Sequence, residues 1–257
     1  MLVISNLVKR YGTGDIVLDN LDLTVEERGM TAIIGSSGAG KSTLLRCINR
    51  LVEPTSGSIR LNDIDLTGLR GQELRQARRR IGMIFQGFNL VDRLTVMENV
   101  LSGRLGYAPF WRAASRRFLQ EDIDRAYELL KRVGLPQYVN KRADALSGGE
   151  RQRVGVVRAL MQDPHILLAD EPTASLDPKT SEQIMQLLGE LAREYSLPVL
   201  INLHNVEQAK KHCQRIVGLR HGRIIFDGSG AQLDDAALEE IYGGDAAEQR
   251  ETAVTEA

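Results

Sequence analysis

Eight consecutive residues, Gly35-Ser36-Ser37-Gly38-Ala39-Gly40-Lys41-Ser42, follow the pattern G-x-x-x-x-G-K-[ST]. In such a loop glycines let backbone N–H groups close around phosphate oxygens. The Lys41 ammonium would offset charge on β- and γ-phosphates, and the Ser42 hydroxyl would ligate Mg²⁺. Further along, Ile166-Leu167-Leu168-Ala169 is an apolar run that ends in Asp170 and Glu171. Asp170 is suited to hold Mg²⁺, directly or through water, and Glu171 to accept a proton from an attacking water. Alone, Asp-Glu after a strand is often a solvated strand end; beside a phosphate loop the chemical reading is better. Gln86 ends the run IGMIF and His204 ends VLINL, so both strands would deliver a polar residue to the sheet edge that carries Glu171. There Gln86 would contact Mg²⁺ or its water, and His204 would sense the γ-phosphate.

A second anion site is written at residues 146–154, L-S-G-G-E-R-Q-R-V. This polar stretch runs into Val154, Val157 and Met161, a helical spacing. Ser147-Gly148-Gly149 therefore lies at a helix N-terminus, where unpaired N–H groups favour an anion.

These groups need an α/β framework. Residues 2–25, 30–34, 59–66, 81–85, 165–169 and 199–203 read as strands, and 216–227 as a hairpin turning at His221-Gly222. Helices are expected at 43–49, 73–80 and 181–195. Residues 89–142 change character: Ile123, Ala126, Tyr127 and Leu130 recur at helical spacing, which predicts a mainly helical insertion. The tail, 243–257, has few large apolar residues and is expected to fray.

The totals agree with a soluble globular chain: 257 residues, 42% hydrophobic, 33 basic against 34 acidic, net charge −1. That balance gives no global pull toward nucleic acid. The arginines at 75, 78, 79 and 80 read as a solvated helix C-terminus complementing the dipole. Cys47 and Cys213 lie outside any metal-binding spacing and suit a reducing compartment. No run reaches the length of a membrane span and the first ten residues are too polar for a signal peptide, so a cytoplasmic location is expected.

The phosphate loop, Gln86, LSGGE, ILLADE, Ser175-Leu176-Asp177 and His204, in this order over most of the chain, resemble the ATPase subunits of ABC transporters. The resemblance implies a P-loop NTPase with a RecA-like core, an N-terminal antiparallel β subdomain and a helical subdomain at about 89–160, all within a domain at 1–242. It makes Tyr11 the adenine-stacking aromatic, Gly35–Ser42 with Thr43 the Walker A set, and Gln86 the Q-loop. Ser147, Gly148, Gly149 and Glu150 become the signature, Asp170 and Glu171 the Walker B pair, Asp177 the D-loop, and His204 the switch histidine. The implied ligands are ATP and Mg²⁺. The implied partners are a second ATPase subunit packed head to tail, two transmembrane permease subunits and, indirectly, a solute-binding protein. Nucleic acid is not among them, and the chain would sit peripherally on the cytoplasmic face of the membrane.

Residues 88–106 with Pro109-Phe110-Trp111-Arg112 narrow the resemblance to phosphonate-importer ATPases. Importers of phosphite or of amino acids, and soluble ABC ATPases, are the alternatives. A P-loop GTPase is disfavoured because Asn140-Lys141-Arg142-Ala143-Asp144 places its aspartate one residue late for guanine reading. Glu150 departs from the family's usual glutamine, and Arg151 and Arg153 are candidate partners for its charge.

Overall fold

A computed structural model describes residues 1–12, 14–107 and 117–243. The described elements begin with β1 (Leu2–Arg10), β2 (Ile16–Val25), β3 (Met30–Ile34), α1 (Lys41–Ile48), β4 (Ser56–Leu61) and β5 (Ile64–Asp65). They continue with α2 (Gly71–Arg78), β6 (Ile81–Ile84), α3 (Val96–Leu101), α4 (Gln120–Arg132), α5 (Gly148–Leu160), β7 (Ile166–Asp170) and α6 (Pro178–Glu194). The last are β8 (Val199–Asn202), α7 (Val206–His212), β9 (Arg215–Arg220), β10 (Arg223–Gly228) and α8 (Asp235–Tyr242). They fall into two units, Met1–Gly68 with Leu200–Ala257, and Leu69–Val199.

In the first unit an antiparallel sheet runs β2-β1-β4-β5. Leu2, Ile4 and Leu7 of β1 are buried, and the alternation slips between Ile4 and Leu7, where the pairing with β2 shifts register. Asn6 takes a left-handed φ of 49° there, a conformation asparagine tolerates, and its N–H donates to Asp22 Oδ1 at 2.9 Å. The run 59–66, read as one strand, is an antiparallel pair instead, because Asn62 turns the chain at φ 52°.

The other sheet of this unit carries the phosphate loop. All five residues of β3 are buried, as a two-sided parallel strand requires. Ala32 lies opposite Ile216 of the parallel β9, and Leu203 N–H, just past β8, donates to Ile33 O at 3.1 Å. β9 and β10 form the expected hairpin; His221 and Gly222 both have positive φ, 46° and 77°, which a tight two-residue turn of this hand demands.

In the second unit β6 and β7 are parallel, fully buried, and in register with Ile84 opposite Ala169. α5 buries Val154, Val156, Val157, Ala159 and Leu160, so it is enclosed on most sides rather than amphipathic. α6 turns Ile184, Met185, Leu188 and Leu191 inward and binds α4 from outside: Arg132 donates to Glu190 at 3.0 Å and to Glu194 at 2.9 Å. Among the described residues from 89 to 160 there are helices and a single isolated bridge, Thr95 with Arg142, but no named strand. α2 spans two residues fewer at its C-terminus than expected, and Arg75 and Arg78 occupy its last turn, where the helix dipole favours cations. Pro109–Arg112 and the tail beyond Gly243 lie outside the described residues.

Candidate nucleotide-binding site

In the first unit β3 ends at Ile34 and the chain turns at once. Gly35 has a φ of 151°, and a Cβ on it would stand 2.1 Å from Leu219 O, so no other residue fits without moving β9. Ala39 N–H donates to Ser36 O at 3.2 Å, closing the loop over Ser37 and Gly38, which are exposed. Gly40, at φ 105°, is the N-cap of α1 and supplies no side-chain cap. The positive end of α1 therefore opens directly into the loop, which is the construction of a phosphate site. α1 starts at Lys41, two residues earlier than the expected 43. Lys41 is 5% exposed, and its Nζ donates to Gly35 O at 2.7 Å and Ser36 O at 2.9 Å, so its charge spans the loop. Ser42 and Thr43 follow in the first turn, half-buried.

The same unit holds Tyr11 and His204. Tyr11 is 49% exposed, with Lys9 Nζ over its ring, 4.7 Å from the centroid. His204 is exposed immediately after Leu203, and the pairing of Leu203 with Ile33 puts it at the end of β3 from which Gly35 departs.

In the second unit the register of β6 with β7 brings Gln86 to the edge carrying Asp170 and Glu171. Asp170, the last residue of β7, is 5% exposed, whereas Gln86 is exposed in the turn after β6. Glu171 has a left-handed φ of 49°, an uncommon conformation for a glutamate, and it is the first residue past the end of β7.

The signature residues line a cleft of about 430 Å³ that also receives Ser175, Leu176 and Asp177. Ser147 is the N-cap of α5, and Asp177 that of α6, accepting from Thr180 N at 3.0 Å. Both helices thus open their positive ends toward one cleft. Hydrogen bonds from the Thr180 side chain and backbone hold the Asp177 carboxyl below its usual range.

Glu150 closes a capping box: Ser147 N–H donates to its carboxylate at 2.8 Å, and its own N–H donates to Ser147 Oγ at 3.4 Å. Burial acts to raise its pKa, but the bonds from Ser147, a Tyr138 hydroxyl and the Lys141 charge hold it below the ordinary value. The partners suggested for it are engaged elsewhere. Arg151 pairs with Asp92, and Arg153 donates to Val133 O at 3.0 Å and Gln183 Oε1 at 3.1 Å.

Sequence reading passed over Asn99 and Arg158. Asn99 is 1% exposed; its amide accepts from Val91 N at 2.8 Å and donates to Val91 O and Thr95 O at 3.1 and 3.0 Å. Arg158 donates to the carbonyls of Phe88 and Asn89. The signal available for Asn99 was a polar residue on the apolar face of a short helix; for Arg158 there was none.

A family model described as ABC transporter matches residues 18–174. The chain is 67% identical over 250 residues to the phosphonates import ATP-binding protein PhnC 1 of Ruegeria sp. (strain TM1040), covering 97% of each. It is 63% identical over 243 residues to PhnC 2 of Synechococcus sp. (strain JA-2-3B'a(2-13)), covering 95% of this chain and 90% of that one. Among solved structures, an ATP-binding cassette in a dimeric post-hydrolysis state bound to ADP and Pi superimposes with a TM-score of 0.78 at 36% identity, covering 89% of this chain and 98% of that one. These likenesses lead to one conclusion: the chain belongs to the ABC transporter family and has the fold of its ATP-binding cassettes.

Proposed function

We propose that the chain is the ATP-hydrolysing subunit of an importer for phosphonates or a related phosphorus compound. The observation that carries the ATPase reading is that the chain has both a complete phosphate loop before α1 and a second helix N-terminus, at Ser147, that opens into a cleft. The names of its relatives, phosphonates import ATP-binding proteins at 56–67% identity, favour the solute class.

In this reading ATP stacks its base on Tyr11 and lays its phosphates on the N–H groups of residues 35–43, with Lys41 offsetting their charge. The hydroxyl of Ser42, the carboxylate of Asp170 and the amide oxygen of Gln86 are hard oxygen donors that suit Mg²⁺ and would hold it. When bound, Mg²⁺ supplies charge neutralisation at the β- and γ-oxygens. Glu171 takes the proton from the attacking water, and His204 holds the γ-phosphate. The signature, Ser147 to Glu150, with Asp177 beside it, meets the phosphates of a second copy packed head to tail.

The working unit is a domain at 1–242 with its helical subdomain at about 89–160. It acts on the cytoplasmic face of the membrane, beneath two permease subunits fed by a solute-binding protein. Among the described residues no helix is long and apolar enough to cross a membrane.

Glu171→Gln removes the base but keeps the shape. It should lower ATPase turnover at least about a hundredfold and leave an ATP-stabilised dimer visible by size-exclusion chromatography. Turnover near the parent rate would remove Glu171 from the base role. In membranes with the permease pair, ATPase stimulation by a binding protein loaded with phosphonate, and not with an amino acid, tests the solute class.

A further inference from the structure

Phe88 and Asn89 both adopt left-handed φ, 62° and 51°. Asparagine tolerates this region; phenylalanine rarely enters it without outside support. They follow Gln86 in a tight turn, with Phe88 N–H donating to Phe85 O at 3.2 Å and Asn89 N–H to Gly87 O at 2.6 Å. The support comes from the signature helix. Arg158 Nη2 donates to Phe88 O at 3.0 Å, and its Nη1 donates to Asn89 O. One turn in from the N-terminus of α5, the Arg151 guanidinium lies 5.4 Å from the Phe88 ring centroid and pairs with Asp92. Burial pulls the Arg158 pKa downward, yet a guanidinium stays charged at physiological pH, and two backbone carbonyls compensate it. Two cations on one helix thus grip both residues of the turn and the loop beyond it. That helix begins at Ser147.

We propose that Arg158, assisted by Arg151, is the positioning residue that locks the turn carrying Gln86 to the helix carrying Ser147, so that a displacement of the turn is delivered to the signature as the motion of one body. The inference rests on the ATPase reading for its consequence, because Ser147 acts in turnover only against another copy's phosphates. The link itself is a property of the fold and has its own readout.

The test uses the full chain: parent, Arg158→Ala, Arg158→Lys, Asn89→Gly and the double variant Arg158→Ala/Asn89→Gly. For Arg158→Ala we expect kcat to fall about tenfold or more while MgATP affinity stays within about twofold, the split of a residue that acts on turnover and not on binding. Lysine carries the charge but cannot fork to two carbonyls, so Arg158→Lys should recover only part of the rate. Glycine takes a positive φ unaided but makes no tie to the helix, so Asn89→Gly should leave the kcat of Arg158→Ala lowered. By amide hydrogen exchange, Arg158→Ala should lose protection at residues 87–90 and also at 147–151, about two to three helical turns from the mutation. A kcat within twofold of the parent overturns the proposal. So does a joint loss of kcat, affinity and melting temperature, the pattern of a folding defect, and so does a kcat that Asn89→Gly restores, since backbone strain in the turn and not a link to the helix would then be the cause. If the parent itself shows no ATPase activity, the ATPase reading falls. The link is then decided by exchange alone: it stands if both segments open, and it is overturned if 147–151 keeps its protection.

Discussion

At residue 150 a carboxylate stands beside the helix N-terminus that the proposed function assigns to phosphate. An unpaired negative charge there would compete with the nucleotide, but the capping box turns the Glu150 side chain back onto Ser147 N–H, so it serves the helix end instead. Glutamine offers the same acceptor at the same position. Glu150→Gln should therefore shift stability by under about 0.5 kcal/mol and keep ATPase activity within about twofold. The two forms should part in acid. The Glu150 pKa is held below its ordinary value of 4.5, so its capping contribution is complete above that value and fades as pH drops through the lower folded one. The amide does not titrate. Thermal melts should show Glu150→Gln gaining on the parent below about pH 4, and parallel curves there would mean the box contributes nothing.

At the scale of elements, α3 illustrates how a short helix can serve as a bracket. Six residues long, it is started by a capping box from Thr95 and Glu98 and pinned to the loop before it by the buried Asn99 amide. Asn99→Ala would leave the Val91 N–H and O and the Thr95 O without that partner in a buried setting. We expect a loss of about 2–3 kcal/mol in thermal or urea unfolding, a loss the charged isostere Asn99→Asp should not repair because it cannot donate. The contrast with what the sequence made legible is instructive. Strands buried on both faces, such as β3, β7 and β8, announce themselves as nearly unbroken apolar runs, and the sheet edge to which Gln86, Asp170 and His204 are delivered could be named from their places after such runs. α7 and α8, of seven and eight residues, are too short for periodicity to register and escaped notice. The left-handed turn at Phe88 was invisible for a different reason. Its cause, Arg158, lies 70 residues away and acts through backbone carbonyls, which carry no residue identity.

For the whole molecule, the cleft around Ser147 and Asp177 poses a question of stoichiometry. If the anion it receives belongs to another copy, each catalytic site is made from two chains, and damage to opposite halves should complement. Lys41→Ala disables the phosphate loop of its own chain. Ser147→Asp keeps a good N-cap but presents a carboxylate to the incoming phosphate. Each variant alone should be nearly inactive, since every site in its homodimer carries the lesion. Mixed in equal amounts, half of the dimers are heterodimers, and in each of these one site combines an intact loop with an intact signature. Steady-state ATPase assays of the mixture should thus recover about a quarter of the parent rate. The parent's specific activity should also rise with protein concentration as monomers associate. A mixture no more active than the mean of its two components would mean that every site carries one of the lesions, as it must if the signature serves its own chain.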